Sequence, residues 1–293
     1  MDFAVGVDIG GGTTRVGLVR DDGHLRARFS FPTPRGGAPQ ELMTLVERGV
    51  DALREYVLPR PGARLHNVVG IALPGIYDRD AGVVRRAVNL PLLEGFEFRS
   101  TLEERLRDPV FVETDVIAAA WAQWRALRSA SNRSDRFVYI SLGTGIGAGV
   151  VLEGEIVRHT RGGGGHLGHL LVDSSPDAPI CRCGARGCAE AAICAPIDSE
   201  CANPAGRRAS RVAALGRLLL QISHLYAPEL IALGGGIIDH DAALVADAAA
   251  AFEGLRSVLV PPELKIVSGP MASGDAGVTG AALLAIRIAK RSN

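Results

Sequence analysis

The chain has 293 residues, enough to bury a sizeable core in one large or two medium domains, and two lobes are expected. Its 32 basic and 32 acidic residues cancel, and no basic run stands out, which argues against nucleic acid as a partner. Four Tyr and two Trp against 36 Gly suit an α/β fold rich in backbone turns, not an aromatic stacking platform, so the expected partner is a small molecule.

In chain order, Phe3 to Val7 is an apolar run that ends in Asp8 and the glycines Gly10, Gly11 and Gly12 before Val16 to Val19 resumes. That pattern predicts a strand hairpin with a glycine turn. The start carries no basic region, long apolar stretch or cleavage site of a signal peptide, so a cytoplasmic protein is expected. Pro39 opens a segment in which Leu42, Leu45, Val46, Val50, Leu53 and Val57 fall at helical spacing, closed by Pro59 and Pro61. Val68 to Leu73 reads as a buried strand capped by Pro74 and Gly75. Val110 to Val112 reads as another, leading into an Ala-rich helix from Val116 to Leu127, with Asp115 at the junction.

Phe137 to Leu142 is a further strand, followed by a glycine turn from Gly143 to Gly149 and a return strand at Val150 and Val151. The strand, glycine turn, strand unit therefore occurs twice, predicting two similar lobes. Val212, Leu215, Leu218, Leu219, Ile222 and Leu225 form a helical stripe. Strand Leu230 to Leu233 then runs into a third glycine turn, Gly234, Gly235 and Gly236. Ala281 to Ile288 is too short to span a bilayer, which takes about 18 to 20 apolar residues, and is expected to be a core helix; no membrane association is expected.

Convergent backbone N–H groups in a turn bind phosphate oxygens, and glycine lets the chain approach closely. Three such turns, made by Asp8, Gly10, Gly11, Gly12 and Thr13, by Gly143, Thr144 and Gly145, and by Gly234, Gly235 and Gly236, could hold a triphosphate; each alone could equally be a tight turn and no more. Neither a P-loop nor a dinucleotide fingerprint is present. Asp8 and Asp115 offer one carboxylate to orient Mg²⁺ near the phosphates and one to accept the substrate proton. Asp115 could also be a helix N-cap, and the two roles are compatible.

His169, Cys181, Cys183 and Cys188 are four ligands of the types that close a tetrahedral zinc site. Three Cys and one His leave no open position, so the metal would be structural; the alternative is buried thiols with a disulfide. Gly184 and Gly187 would ease the turns between the ligands. Cys194 and Cys201 fall outside this spacing and are expected to be ordinary thiols.

Asp8-Ile9-Gly10-Gly11, Leu142-Gly143-Thr144-Gly145-Ile146-Gly147, Gly165-His166-Leu167-Gly168-His169, the run from Cys181 to Glu190, and Leu233-Gly234-Gly235-Gly236 together resemble the ROK family of bacterial sugar kinases and repressors. The resemblance continues through Asn89-Leu90-Pro91 and the run from Asp275 to Ala282. It implies an actin-like ATPase (ribonuclease H-like) fold with two α/β lobes around a central cleft. Residues 1–117 plus 275–293 would form the smaller lobe, and 118–274 the larger lobe with the zinc loop. It also implies ATP and Mg²⁺, transfer of the γ-phosphate to a hexose hydroxyl, usually the 6-hydroxyl, and a homodimer or homotetramer. Asp115 matches the catalytic base. Glu190 and the zinc ligand His169 match residues near the anomeric end of the sugar, and Asn89 and Gly75 lie on the sugar side. A helix-turn-helix, which the repressors of the family need, does not precede the first strand, so a kinase is expected and a sugar-sensing regulator is the non-enzyme alternative.

Three positions depart from the family pattern. His166 stands for a Glu, Thr114 for the Asn before the base, and Gly12 for a Thr. The first two belong to positions that read the hydroxyls around C2 and C3 of the ring. A site built for one hydroxyl pattern rejects another strongly, because unmatched polar groups stay buried. The stretch Val88 to Leu92 and the residue before Asp115 are similar to allose kinases. A C3-altered hexose is therefore expected, with kanosamine, the 3-amino analogue of glucose, ahead of allose. Glucose is the alternative if His166 and Thr114 are neutral drift.

Overall fold

Apolar residues between Asp2 and Pro32 fold into three antiparallel strands, β1 (Asp2–Ile9), β2 (Thr13–Arg20) and β3 (Leu25–Pro32). The computed structural model describes residues 2–57, 62–128, 134–159, 161–162, 164–195 and 203–291, so Pro59, Pro61 and Cys201 lie outside it. β4 (Arg64–Leu73) pairs parallel with β1, and β7 (Val110–Thr114) parallel with β4, giving the sheet order β3-β2-β1-β4-β7. β1, in the middle of this sheet, is covered by helices on both faces and is accordingly buried from Phe3 to Ile9. Between β4 and β7 lie a small hairpin, β5 (Ile76–Asp78) and β6 (Val83–Arg86), and helix α2 (Phe98–Leu106).

Helix α1 (Pro39–Val57) buries Leu42, Val46, Val50, Leu53 and Val57 as its spacing predicts, against Val7, Val16, Leu18 and Ile71 of the sheet. Each such side chain contributes about 1.5–3 kcal/mol by leaving water. Leu45 is only half-buried, and Met43 takes a core place outside the expected stripe. On the other side helix α8 (Ser273–Arg291) lies so close that a Cβ on Gly70 would stand 2.0 Å from the Ala281 carbonyl oxygen. Only a bare backbone fits there.

The second half repeats the plan. β8 (Phe137–Leu142), β9 (Ile146–Leu152) and β10 (Glu155–Ile156) form an antiparallel meander, and β11 (Leu230–Gly234) and β12 (Lys265–Ser268) extend it in parallel, in the order β10-β9-β8-β11-β12. In each sheet the strands, counted in the order they occur, stand 3-2-1-4-5. The glycine turn between β8 and β9 is shorter than its sequence suggests. Gly147 and Gly149 are already in β9, opposite Ser141 and Tyr139, leaving Gly143 to Gly145 as the turn. The third glycine run is a strand-to-helix turn, from β11 into the short α6 (Gly236–His240), with Gly235 at φ 94°.

Helix α5 (Pro204–Tyr226) starts at Asn203, whose side chain accepts the Gly206 N–H at 2.9 Å, and buries Leu215, Leu218, Leu219 and Ile222. Leu225, in the last turn, is 58% exposed, so the stripe ends one turn early. The remaining helices are α3 (Asp115–Leu127), α4 (Ala189–Ile193) and α7 (Ala243–Glu253).

Two units emerge, residues 1–127 with 157–164 and 274–293, and residues 128–156 with 165–273. Their limits differ from the expected 1–117 plus 275–293 and 118–274. A cut at 117 would divide α3, which continues from the end of β7 and packs on β4 and β7, so the whole helix stays in the first unit. Residues 157–164 also belong there, because the Arg158 guanidinium and the His159 carbonyl are bonded to that unit.

Candidate active site

In the first unit the parallel register aligns Asp8 of β1 with Ala72 of β4 and Glu113 of β7, so Asp8, Thr114 and Asp115 gather at the same, C-terminal, strand edge. Parallel α/β sheets collect their ligands at that edge. Asp8 is buried, 3.7 Å from the Arg15 guanidinium across the hairpin. It is backed by α8, where a Cβ on Gly277 would meet its carboxyl carbon at 2.7 Å. Burial first, and then the charge of Asp115, push the Asp8 carboxyl up to about 7, with Arg15 opposing. Asp115 is half-buried, and its Oδ1 accepts the Val116 N–H at 2.7 Å, so it caps its helix. Burial pushes it up to about 6, with backbone N–H groups opposing. A carboxylate in that range is ionised at neutral pH and basic enough to accept a hydroxyl proton.

Glu113, completely buried, accepts from three donors: Arg79, the Arg158 Nε at 2.8 Å, and the Thr114 N–H at 2.8 Å. Arg79 also donates to the His159 carbonyl at 2.8 Å. The residue two before Asp115 is thus an ionic anchor that fixes the backbone entering α3. Arg15, Glu113 and Arg158 carry no motif, and no sequence signal marked them; Glu113 and Arg158 meet across 45 residues.

The first glycine turn is held from behind. The Gly10 N–H donates to the Thr13 carbonyl at 3.1 Å, and the carbonyls of Gly10, Gly11 and Gly12 accept from the Thr33 hydroxyl, the Arg35 Nε and the Thr33 N–H at 2.7, 2.9 and 3.1 Å. Asn89, exposed after β6, packs on this turn, where a Cβ on Gly11 would meet the Asn89 Cβ at 3.0 Å. Gly75, at φ 100°, lies against the Arg86 carbonyl. The first unit therefore gathers Asp8, Gly10 to Gly12, Thr13, Asn89, Thr114 and Asp115 at the strand edge, with Gly75 just past the end of β4.

The second unit holds the other residues. A Cβ on Gly145 would stand 2.7 Å from the Glu190 Oε2, which accepts the Ile146 N–H at 3.0 Å. The Glu190 Oε1 lies 3.9 Å from the Cys181 sulfur, so one carboxylate joins the glycine turn with Gly143 and Thr144 to the His/Cys cluster. In that cluster the ligand atoms of His169, Cys181, Cys183 and Cys188 lie within 4.8 Å of one another. The Cys183 and Cys188 sulfurs are 3.7 Å apart, and Cys181 Sγ is 3.6 Å from His169 Nδ1. Zinc at about 2.3 Å from each sulfur and 2.0–2.1 Å from nitrogen in a tetrahedron requires edges of about 3.5–3.8 Å, so the donor set fits. All four described cysteines are free thiols, so the disulfide alternative does not hold among them. Gly184 and Gly187 take φ 92° and 80° in the turns between the ligands, as their placement suggests. Burial pushes the Cys194 thiol up to about 12, in keeping with an inert thiol. His166 is exposed, with its ring 6.2 Å from that of His169. Gly234, Gly235 and Gly236 form the turn after β11, where Gly235 closes on Leu142.

Residues 4–196 match the profile described as the ROK family. The chain belongs to the ROK family. Over 95% of both chains it is 30% identical to the glucokinase of Thermotoga maritima, and over 95% of this chain and 97% of the other it is 32% identical to an N-acetylmannosamine kinase of Escherichia coli. Among solved structures, the ROK hexokinase of Thermus thermophilus superposes with a TM-score of 0.76 over 99% of each chain, at 28% identity. The fold is the actin-like ATPase fold of ROK proteins, consistent with the repeated strand order. Among the described residues no helix is long and apolar enough to cross a membrane.

Proposed function

We propose that the chain is an ATP-dependent hexose kinase that transfers the γ-phosphate to the 6-hydroxyl of the sugar. Asp115 carries this reading. It stands at the C-terminal strand edge beside Asp8 and Asn89, with a carboxyl raised by burial into the range of a general base at neutral pH. In the reaction Asp115 accepts the proton of the sugar hydroxyl as the hydroxyl oxygen bonds to the γ-phosphorus and the bond from that phosphorus to ADP breaks; within their own units the glycine turns, Gly10 to Gly12 with Thr13, Gly143 to Gly145 and Gly234 to Gly236, offer N–H groups to phosphate. Mg²⁺, when bound, would neutralise phosphate charge, and Asp8 is the carboxylate suited to orient it. The family relatives named glucokinase, hexokinase and N-acetylmannosamine kinase support sugar phosphorylation. The structural metal is zinc, held by His169, Cys181, Cys183 and Cys188. It would order the loop that carries Glu190 and His169 to the anomeric side of the sugar.

The substrate is a C3-altered hexose, kanosamine ahead of allose, because His166 and Thr114 change the donors and acceptors along one edge of the ring. Glucose is the second reading, favoured by the glucokinase relative. Comparing kcat/KM for kanosamine, allose, glucose and N-acetylmannosamine with ATP decides between them, with the phosphorylated position read by NMR of the product. A preference for glucose by more than about tenfold would sink the C3 reading. Sugar binding without ADP production would move the chain to the sugar-sensing regulators of the family. The working assembly is a homodimer or homotetramer in the cytoplasm, which sedimentation and cell fractionation test.

A further inference from the structure

The departure at position 12 has a structural counterpart. Three carbonyls of the first glycine turn, those of Gly10, Gly11 and Gly12, are all bonded to Thr33 or Arg35, which directly follow β3. The buried Thr14 hydroxyl, 2.8 Å from that of Thr33, braces this arrangement. With its carbonyls tied back, the turn has its Gly11 and Gly12 N–H groups left over, and they find no acceptor among the described residues. Two unspent donors on a glycine turn are what an anion needs.

Arg35 spends only its Nε on the Gly11 carbonyl, and its Nη2 lies 3.3 Å from where a Cβ on Gly12 would stand. The guanidinium therefore lies over Gly12, the position at which the family pattern has a Thr side chain. Among the described residues Arg35 forms no ion pair, whereas the neighbouring Arg15 is paired with Asp8 and Arg28 with Asp275. An exposed guanidinium anchored at one nitrogen, with the rest of its fork free beside unpaired N–H groups, has the geometry for bidentate phosphate recognition.

We propose that Arg35 is a phosphate-binding residue of the donor site, its guanidinium lying over the bare Gly12 to clamp the polyphosphate of the nucleotide onto the first glycine turn. This rests on reading that turn as a phosphate loop. Arg35 holds the donor's phosphates and offsets their charge; it neither gives nor takes a proton. A larger residue at position 12 would press on the guanidinium, so Gly12 and Arg35 act as a pair.

The test measures binding of inorganic tripolyphosphate to the full chain by titration calorimetry, for the unaltered protein and for Arg35→Ala, Arg35→Gln and Arg35→Lys. Loss of the guanidinium should raise Kd about tenfold in Arg35→Ala. Arg35→Gln, which keeps a donor but no charge, should bind as weakly, and Arg35→Lys should fall between. The KM for ATP should rise in parallel, with the KM for sugar and the melting temperature unchanged. Wild-type affinity in Arg35→Gln would show that the hydrogen bond alone matters and overturn the proposal. Equal Kd values throughout, or no tripolyphosphate binding by the unaltered protein, would do the same. The two readings separate cleanly. Arg35-dependent tripolyphosphate binding in a protein that phosphorylates no sugar leaves the clamp standing without the kinase. An unchanged KM for ATP in Arg35→Ala leaves the kinase without the clamp.

Discussion

The two glycine turns between antiparallel strands occupy the same place in sheets of the same strand order, yet they are held by different chemistry. The first, Gly10 to Gly12, is fixed from behind by Thr33 and Arg35 and stands next to Asp8, all within hydrogen-bond or ion-pair reach of β1 to β3. The second, Gly143 to Gly145, is held by Glu190, a carboxylate two residues beyond Cys188 that also reaches the His/Cys cluster. One turn is supported by its own sheet and the other by the loop that carries the proposed zinc site. Repeating a topology does not repeat the means of stabilising it, and the second turn should be the more conditional of the two.

The sharpest test removes the proposed catalytic carboxylate from the first unit alone. Asp115→Asn should lower kcat by about 10³, within the range for loss of a general base, while metal content and melting temperature stay as they were. A residual rate within tenfold of wild type would remove Asp115 from the mechanism. The comparison itself is broken by Cys183→Ser or by chelation. Either should release the metal, lower the melting temperature and cut activity by at least about tenfold, with amide exchange accelerating at Ile146 and not at Gly10. Equal acceleration at both turns would mean that they are not supported separately.

Next in size is Gly145→Ala. The added Cβ meets the Glu190 carboxylate at 2.7 Å and should displace it from the Ile146 N–H, reducing kcat/KM several-fold, an effect that Glu190→Ala should match without adding to it. The smallest effect is on stability. Asp8 is raised to about 7 in the folded chain against about 3.9 when unfolded, so between those values the folded state binds the extra proton and stability falls as pH rises. Asp8→Asn should therefore be more stable than wild type at pH 8, unfolding at a higher temperature, and lose that advantage at pH 4. Thermal scans across that range decide it.

Local pattern made much of this legible. The apolar runs around the glycines marked β1, β2, β8 and β9, and helical spacing marked α1 and α5, because burial of one face leaves a period in the sequence. Asp115 could be singled out because a carboxylate at a strand-to-helix junction is itself a local signal. The ligand set of the His/Cys cluster was legible for the same reason, three of its four members falling within eight residues. What stayed hidden depends on distance along the chain. Glu113 meets Arg158 across 45 residues, and Arg35 reaches Gly11 across 24, and a lone Glu or Arg looks like any surface charge until the fold brings its partner. The return of residues 157–164 to the first unit was hidden likewise, since it goes with the Arg158–Glu113 ion pair and the bond from Arg79 to the His159 carbonyl. Leu225 shows the converse failure, a residue in phase with a stripe whose neighbours have run out by the last turn of α5.

Helix α8 follows the whole of the second unit in the chain and yet belongs to the first unit, where it closes on Gly70 and places Gly277 behind Asp8. On the ribosome, β1 to β4 therefore wait for their covering helix until some 200 residues further along the chain have emerged, while the second unit, whose segments end at Ser273, has all its parts sooner. The order of synthesis thus leaves the packing behind Asp8 to be completed only after the segments of the second unit have been made. A chain interrupted before α8 would expose the apolar faces of β1 and β4 and be recognisable to quality control by that surface alone.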